Sequence, residues 1–157
     1  MTSKVYVALR VKATPERAFA VFVEEIGIWM RPSPLFETTP RPGRLSFQAP
    51  DKDGSGGRLI ETRAGGKVFE IGKVLAWEPP SRLVFSWRQA NFPLDLHTEV
   101  EVGFDAVGQE TRVSIEHRGF DRTPPGAARH GFSDQVLLMR LADFWRTQIG
   151  RLGEQVG

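Results

Sequence analysis

Three histidines, one glutamate set inside an apolar strand and four tryptophans are the residues best equipped to do more than pack. His97, His117 and His130 are scattered, and the chain has no cysteine. Thiol chemistry is therefore excluded, the histidines do not make a metal site, and no cofactor is expected. His117 alternates with polar neighbours in a strand-like run. A neutral imidazole carries one donor and one acceptor nitrogen, so an inward His117 has two readings. It could be a core histidine bonded to Thr98 or to water, or a polar point orienting a ligand in an apolar site. His97 is expected to face outward and His130 to be solvated near a helix end.

Glu61 sits between Ile60 and Thr62. On a solvated face it would pair with Arg58 or Arg63. Turned inward, it would lose hydration, its pKa would rise, and it could serve acid–base chemistry. Trp29, Trp77, Trp87 and Trp145 each bring a large apolar surface and one N–H that needs an acceptor. Trp29 and Trp87 are expected on a cavity wall, Trp145 in helix-to-sheet packing and Trp77 in hairpin packing.

No phosphate-loop, dinucleotide, zinc-protease or nucleophile-elbow pattern occurs. The glycine-rich 54–57 precedes a strand instead of opening a helix, and reads as a turn. A net charge of +2 gives no basic surface for nucleic acid. Lys4, Arg10 and Lys12 interrupt the apolar stretch a signal peptide needs, and no run approaches the ~18 apolar residues of a membrane span. A cytoplasmic protein is expected, without nucleic-acid or membrane partners. At 157 residues and 40% hydrophobic composition, one domain over 1–157 is expected.

The elements that must position these groups follow from periodicity. Val5, Val7 and Leu9 alternate with polar or small residues and predict a first strand. Thr14 and Pro15 are suited to open a helix, with Phe19, Phe22, Val23 and Ile26 on one side, Gly27 as a break, and a second short helix carrying Trp29. Over 31–57 prolines and glycines dominate. Only 45–48 is strand-like there, at a sheet edge, and this stretch is expected to act as a lid. Strands are predicted over 58–63, 67–77 and 82–88, the last two hinged on Pro79-Pro80. In the 82–88 strand Leu83, Phe85 and Trp87 share a face, while a one-residue slip of its partner is left open.

The next hairpin is more tightly specified. With Asp105 opposite Glu110, Thr98, Val100, Val102 and Phe104 face His117, Ile115, Val113 and Thr111, and the apolar side chains share one face. A short helix capped by Thr123 is expected next. From about Asp134 a long helix carries Leu138, Leu141, Trp145, Ile149 and Leu152 as a stripe, its last turns weakened by Gly150 and Gly153. One strand, two short helices, six strands and a long helix make an α+β fold, a curved antiparallel sheet around the final helix.

The phrases "TPERAFAVFVEEIGIWM", "GGRLIETRAGGKVFEIGKVLAWEPPSRLVFSW" and "HRGF" carry a family resemblance over nearly the whole chain. Within 56–87 the Gly-Gly, Glu61, the G-x-V at 72–74 and the E-P-P before a strand ending in tryptophan occur together. The chain resembles the family named for the C-terminal domain of the activator of Hsp90 ATPase, in the START/Bet v 1-like (SRPBCC) superfamily. The resemblance implies a helix-grip fold: a seven-stranded sheet wrapped around the C-terminal helix, enclosing a cavity for an apolar or amphipathic ligand. Phe144-Trp145 stands where the family usually has Gly-Trp. The co-chaperone's separate N-terminal domain has no counterpart here, so an Hsp90-type partner is not the leading expectation.

The leading expectation is a non-catalytic small-molecule binding protein, monomeric or homodimeric. Its candidate cavity wall is Trp29, Glu61, Phe85, Trp87, Val100, His117, Leu138 and Leu141. The alternatives are a cyclase or aromatase on polyketide-type substrates, with Glu61 or His117 as the acid–base group, and a chaperone-interacting module.

Overall fold

The structure, a computed structural model, describes residues 4–30, 44–62, 64–87, 98–119 and 134–156. The chain runs β1 (Lys4–Val11), α1 (Pro15–Glu24), α2 (Ile26–Trp29), β2 (Arg44–Gln48), β3 (Arg58–Thr62), β4 (Val68–Glu78), β5 (Arg82–Trp87), β6 (Thr98–Val107), β7 (Glu110–Arg118) and α3 (Asp134–Val156). The seven strands form one antiparallel sheet in the order β1-β7-β6-β5-β4-β3-β2. This is the α+β helix-grip arrangement expected, with two short helices between β1 and β2. The expected Thr123-capped helix, the 31–43 part of the lid, and His97 and His130 lie outside the described residues.

Thr14 caps α1 by accepting from the Arg17 N–H at 3.3 Å, and Pro15 occupies the first turn, where a missing N–H costs nothing. The break between the two helices falls at Glu25 and not, as expected, at Gly27. Gly27 lies inside α2 for another reason. A Cβ there would stand 2.7 Å from the Leu45 carbonyl oxygen, so glycine lets α2 lie against β2, the edge strand. Covering an edge protects its unpaired backbone groups.

β4 carries two bulges that resolve the slip left open by the sequence. Ile71 is extra against β3, and Leu75 is extra against β5. Each bulge bends the strand and increases its twist, which a sheet needs in order to curl. Between them Gly72 lies so close to β5 that a Cβ would overlap the Ser86 backbone. The proline corner has a cis Pro79–Pro80 peptide, and it is tied to β6 by the Phe104 N–H donating to the Ser81 carbonyl at 2.9 Å.

In the β6–β7 hairpin the register differs by two residues from the expected one. Val107, not Asp105, opposes Glu110, and the loop shortens to Gly108-Gln109. A two-residue slide leaves every side chain on its expected face, so the apolar pattern could not detect it. Inward come Thr98, Val100, Val102 and Phe104 from β6 and Thr111, Val113, Ile115 and His117 from β7, all buried. With Val5, Val7, Val11, Leu83, Phe85 and Trp87, the apolar members join Leu141, Trp145, Ile149 and Leu152 of α3 in one core. Despite Gly150 and Gly153, α3 is helical to Val156: Leu152 and Val156 are buried, and Gly153 packs beside Val11. α1 adds Phe19 and Phe22, whose rings meet Phe104 at centroid distances of 5.2 and 5.7 Å.

Candidate functional site

Strand alternation on β7 puts His117 inside, only 1% exposed. Opposite it on one side stands Val100 of β6, which in turn opposes Phe85 of β5. Phe85, Val100 and His117 thus form one cross-strand row, with Trp87 and Thr98 the next pair along. The Trp145 indole N–H, which can only donate, reaches His117 Nδ1 at 3.1 Å. Nδ1 is therefore the acceptor nitrogen, and the ring hydrogen sits on Nε2. From there it is donated to Thr98 Oγ1 at 2.7 Å, and the Thr98 hydroxyl donates to the Trp87 carbonyl at 3.2 Å.

This chain of bonds ties α3 to three strands through the middle of an apolar wall. Burial disfavours the charged imidazole and holds the His117 pKa down, from 6.5 to about 3. Trp145, Trp87 and His117 stand mutually edge-to-face, with centroids 5.8–6.1 Å apart, an arrangement aromatic rings favour. His117 is thus a neutral, oriented polar group, as the core-histidine reading expected, though Thr98 is its diagonal neighbour and not its direct opposite.

Phe85, Val100 and Leu141 are all fully buried in this region of the core, and Leu138 is partly buried against it. Glu61 does not lie on a solvated face. It is 1% exposed, shares the inner face of β3 with Leu59, and stands between Leu45 of β2 and Phe69 of β4. Arg58, one suggested partner, is bonded to Glu70 at 3.4 Å and to Gln48 at 2.6 Å. Trp29 donates its indole N–H to the Phe22 carbonyl at 3.1 Å and leans on the Phe22 ring at 4.9 Å.

Trp29 and Trp87 occupy different ends of one aromatic series. Ring contacts run from Trp29 to Phe22, to Phe47, to Phe85 and on to Trp87. Glu61 neighbours this series on β3, where Leu45 and Phe47 of the adjacent strand face the core. Trp77 packs edge-on against Phe19 at 5.5 Å. Sequence reasoning passed over Gln148, which is 2% exposed on α3. Its position three residues after Trp145, on the apolar stripe, was the available signal.

The arrangement is an aromatic and aliphatic core that also buries the polar side chains of Glu61, Thr98, His117 and Gln148. Among the described residues no group of three or more His, Cys, Asp or Glu could hold a metal. Among the described residues no helix is long and apolar enough to cross a membrane.

Comparison with known proteins agrees with this architecture. Residues 12–144 match the family described as "Activator of Hsp90 ATPase homolog 1-like protein". No curated protein is a detectable sequence relative. Among solved structures, a START superfamily protein from Mycobacterium smegmatis superposes with a TM-score of 0.66 at 14% identity, over 98% of this chain and 96% of that one. CalU16 from Micromonospora echinospora gives 0.60 at 18% identity, over 99% of this chain and 74% of the other. DynU16, from the dynemicin biosynthetic locus, gives 0.63 at 17% identity over 97% of this chain, which spans only 46% of that longer protein. At such identities the structural matches speak to the fold alone. The family match covers most of the sequence, and this chain belongs to the Activator of Hsp90 ATPase homolog 1-like family, with the START-type helix-grip fold.

Proposed function

We propose that this protein is a non-catalytic binding module, a single domain over 1–157 that holds one small apolar or amphipathic molecule between α3 and the inner face of the sheet. The wall would comprise Phe85, Trp87, Val100, His117, Leu138 and Leu141, with Trp29 and Glu61 toward the β2–β3 end. One observation carries this reading. The most chemically capable inward side chain, His117, has both ring nitrogens engaged, to Trp145 and Thr98, and its burial keeps it neutral. A general base needs a free lone pair aimed at substrate. A hydrogen-bonded neutral imidazole in an aromatic wall instead supplies polarity and shape, as binding pockets do.

The proposed setting is the cytoplasm, with a monomer or homodimer and neither nucleic acid, membrane nor an Hsp90-type chaperone as partner. The test is native mass spectrometry of freshly purified protein together with titration by an apolar fluorophore. A co-purified small molecule, or a probe that perturbs tryptophan emission and raises Tm, supports the module. Absence of both overturns it.

A second reading is favoured by the placement of Glu61, a carboxyl 1% exposed on the inner face of β3 near the proposed wall. That version is a cyclase or aromatase acting on a polyketide-type substrate, and CalU16 and DynU16, which share the fold, are its natural comparisons. Sustained turnover of a cyclisable aromatic polyketide mimic, abolished by Glu61→Gln, would establish it over the binding module.

A further inference from the structure

The outer face of the sheet, away from α3, holds a groove that the interior binding reading does not use. Its floor is Gly103 of β6 beside Ser114 of β7, where the missing side chain leaves the sheet bare, and its volume is about 430 Å³. That lies within the ~300–1,000 Å³ typical of small-molecule clefts. Tyr6 of β1 forms one wall. The residue is 55% exposed, yet its hydroxyl is held by a bond from Arg112 Nη2 at 3.2 Å. The opposite wall is Arg82 with Glu101, and Ser81 adds a hydroxyl at the proline corner.

Charge decides what such a groove can hold. The carboxylates lining it are mostly compensated already. Arg82 binds Glu101 and Glu78, both at 2.8 Å, while Arg118 binds Glu101 at 2.9 Å and Glu116 at 2.8 Å. Lys4 also approaches Glu116, at 3.6 Å, and Asp105 lies opposite Arg112 in the strand register. A charged guest would gain little from so balanced a field. Paired carboxylates nevertheless keep free lone pairs, since each can accept about four hydrogen bonds. The groove therefore presents fixed acceptors, serine hydroxyls and one guanidinium around an exposed tyrosine ring, all pre-organised by the ion-pair ladder.

We infer that this groove binds a neutral polyhydroxylated molecule of saccharide type, its hydroxyls on Glu101, Glu116 and Ser114 and its apolar ring face on Tyr6. This site is independent of the interior binding site proposed above. An open polar groove of this kind should bind in the millimolar range, about 4 kcal/mol at 1 mM.

The experiment is a backbone-amide NMR titration of the full chain with maltose, trehalose and cellobiose, and separately with spermidine. Saturable shifts at Tyr6, Gly103 and Ser114 with at least one disaccharide are expected. Tyr6→Ala, at a position exposed enough to leave the fold intact, should weaken them about fivefold or more. Gly103→Ala provides a second variant, since its Cβ would reach within 2.7 Å of Ser114 Oγ on the groove floor. Shifts with spermidine alone would mean an acidic surface that collects cations. That result, or no shift with any of the four, or disaccharide shifts unchanged in both variants, overturns the inference.

Discussion

The Trp145 indole N–H donates to His117 Nδ1 at 3.1 Å, across the interface between the last helix and the sheet. This bond sets the histidine tautomer, and the tautomer sets the direction of every later bond through Thr98 to the Trp87 carbonyl. A protonated His117 would carry hydrogen on both nitrogens and could not accept from Trp145. Helix docking and the charge state of one imidazole are therefore linked.

That linkage has a sign. His117 titrates at 6.5 when unfolded but near 3 when folded, because burial penalises its charge. Above pH 6.5 neither state is protonated and the histidine adds no pH dependence. Between pH 6.5 and about 3 only the unfolded chain takes up the proton, so stability falls with pH by up to about 1.4 kcal/mol per unit. Urea melts of the parent at pH 7.5, 6.0 and 5.0 should show this decline. In His117→Gln, whose amide can accept from Trp145 and donate to Thr98 without titrating, the decline between pH 6.5 and 5 should largely vanish. An equal slope in the variant would refute the assignment. Glu101, whose pKa Arg82 and Arg118 depress from 4.5, loses its stabilising charge only at lower pH, so it leaves the comparison between pH 6.5 and 5 untouched.

Trp145→Phe keeps the ring packing against Trp87 but leaves His117 Nδ1 without its indole donor. An unsatisfied buried acceptor costs about 1–3 kcal/mol. Chemical denaturation should register that loss with little change in m-value, because the surface exposed on unfolding is nearly the same. Phe144→Leu, next to it and without a role in this bond, should cost less.

The face assignments were legible in the sequence because strand alternation has period two and every inward position of β6 and β7 was apolar, Thr or His. The register was not, since moving Glu110 from Asp105 to Val107 preserves that pattern. Glu61 could not be read correctly from its neighbours. Ile60 and Leu59 are both buried, so alternation around it was uninformative; the core face is set by pairing with Leu45 and Phe47 of β2, which pack against the core beside Leu59. In the sequence Gly27 reads as a helix break because glycine's commonest local meaning is conformational. Its role here depends on Leu45, eighteen positions along the chain and close only in three dimensions.

Val102 is fully buried, opposite Ile115 on one side and Leu83 on the other. Val102→Asp would place a carboxylate among aliphatic side chains, where it must either remain unpaired or take up a proton. The expected cost is about 3–5 kcal/mol, read as a large drop in Tm or loss of soluble protein. Glu101→Val, one residue away but on the outer face, should be far milder and should chiefly loosen Arg82 and Arg118. Equal losses for the two would mean the inner and outer faces are interchanged.

Two glycines give opposite expectations under one substitution. At Gly72 a Cβ would overlap the Ser86 carbonyl, which is backbone and cannot swing aside. Gly72→Ala must push β4 from β5, stretching the 2.8 Å bond from the Lys73 N–H to Ser86 Oγ and the pairing of Val74 with Phe85 beside it. A loss of about 3 kcal/mol or more is expected. Gly150 is exposed in the middle of a helical turn, and a Cβ there would meet nothing within 4 Å. Gly150→Ala should stabilise by up to about 1 kcal/mol through helix propensity alone. Paired urea melts of the two variants check both signs, and a neutral Gly72→Ala would show that the two strands are farther apart than this close approach requires.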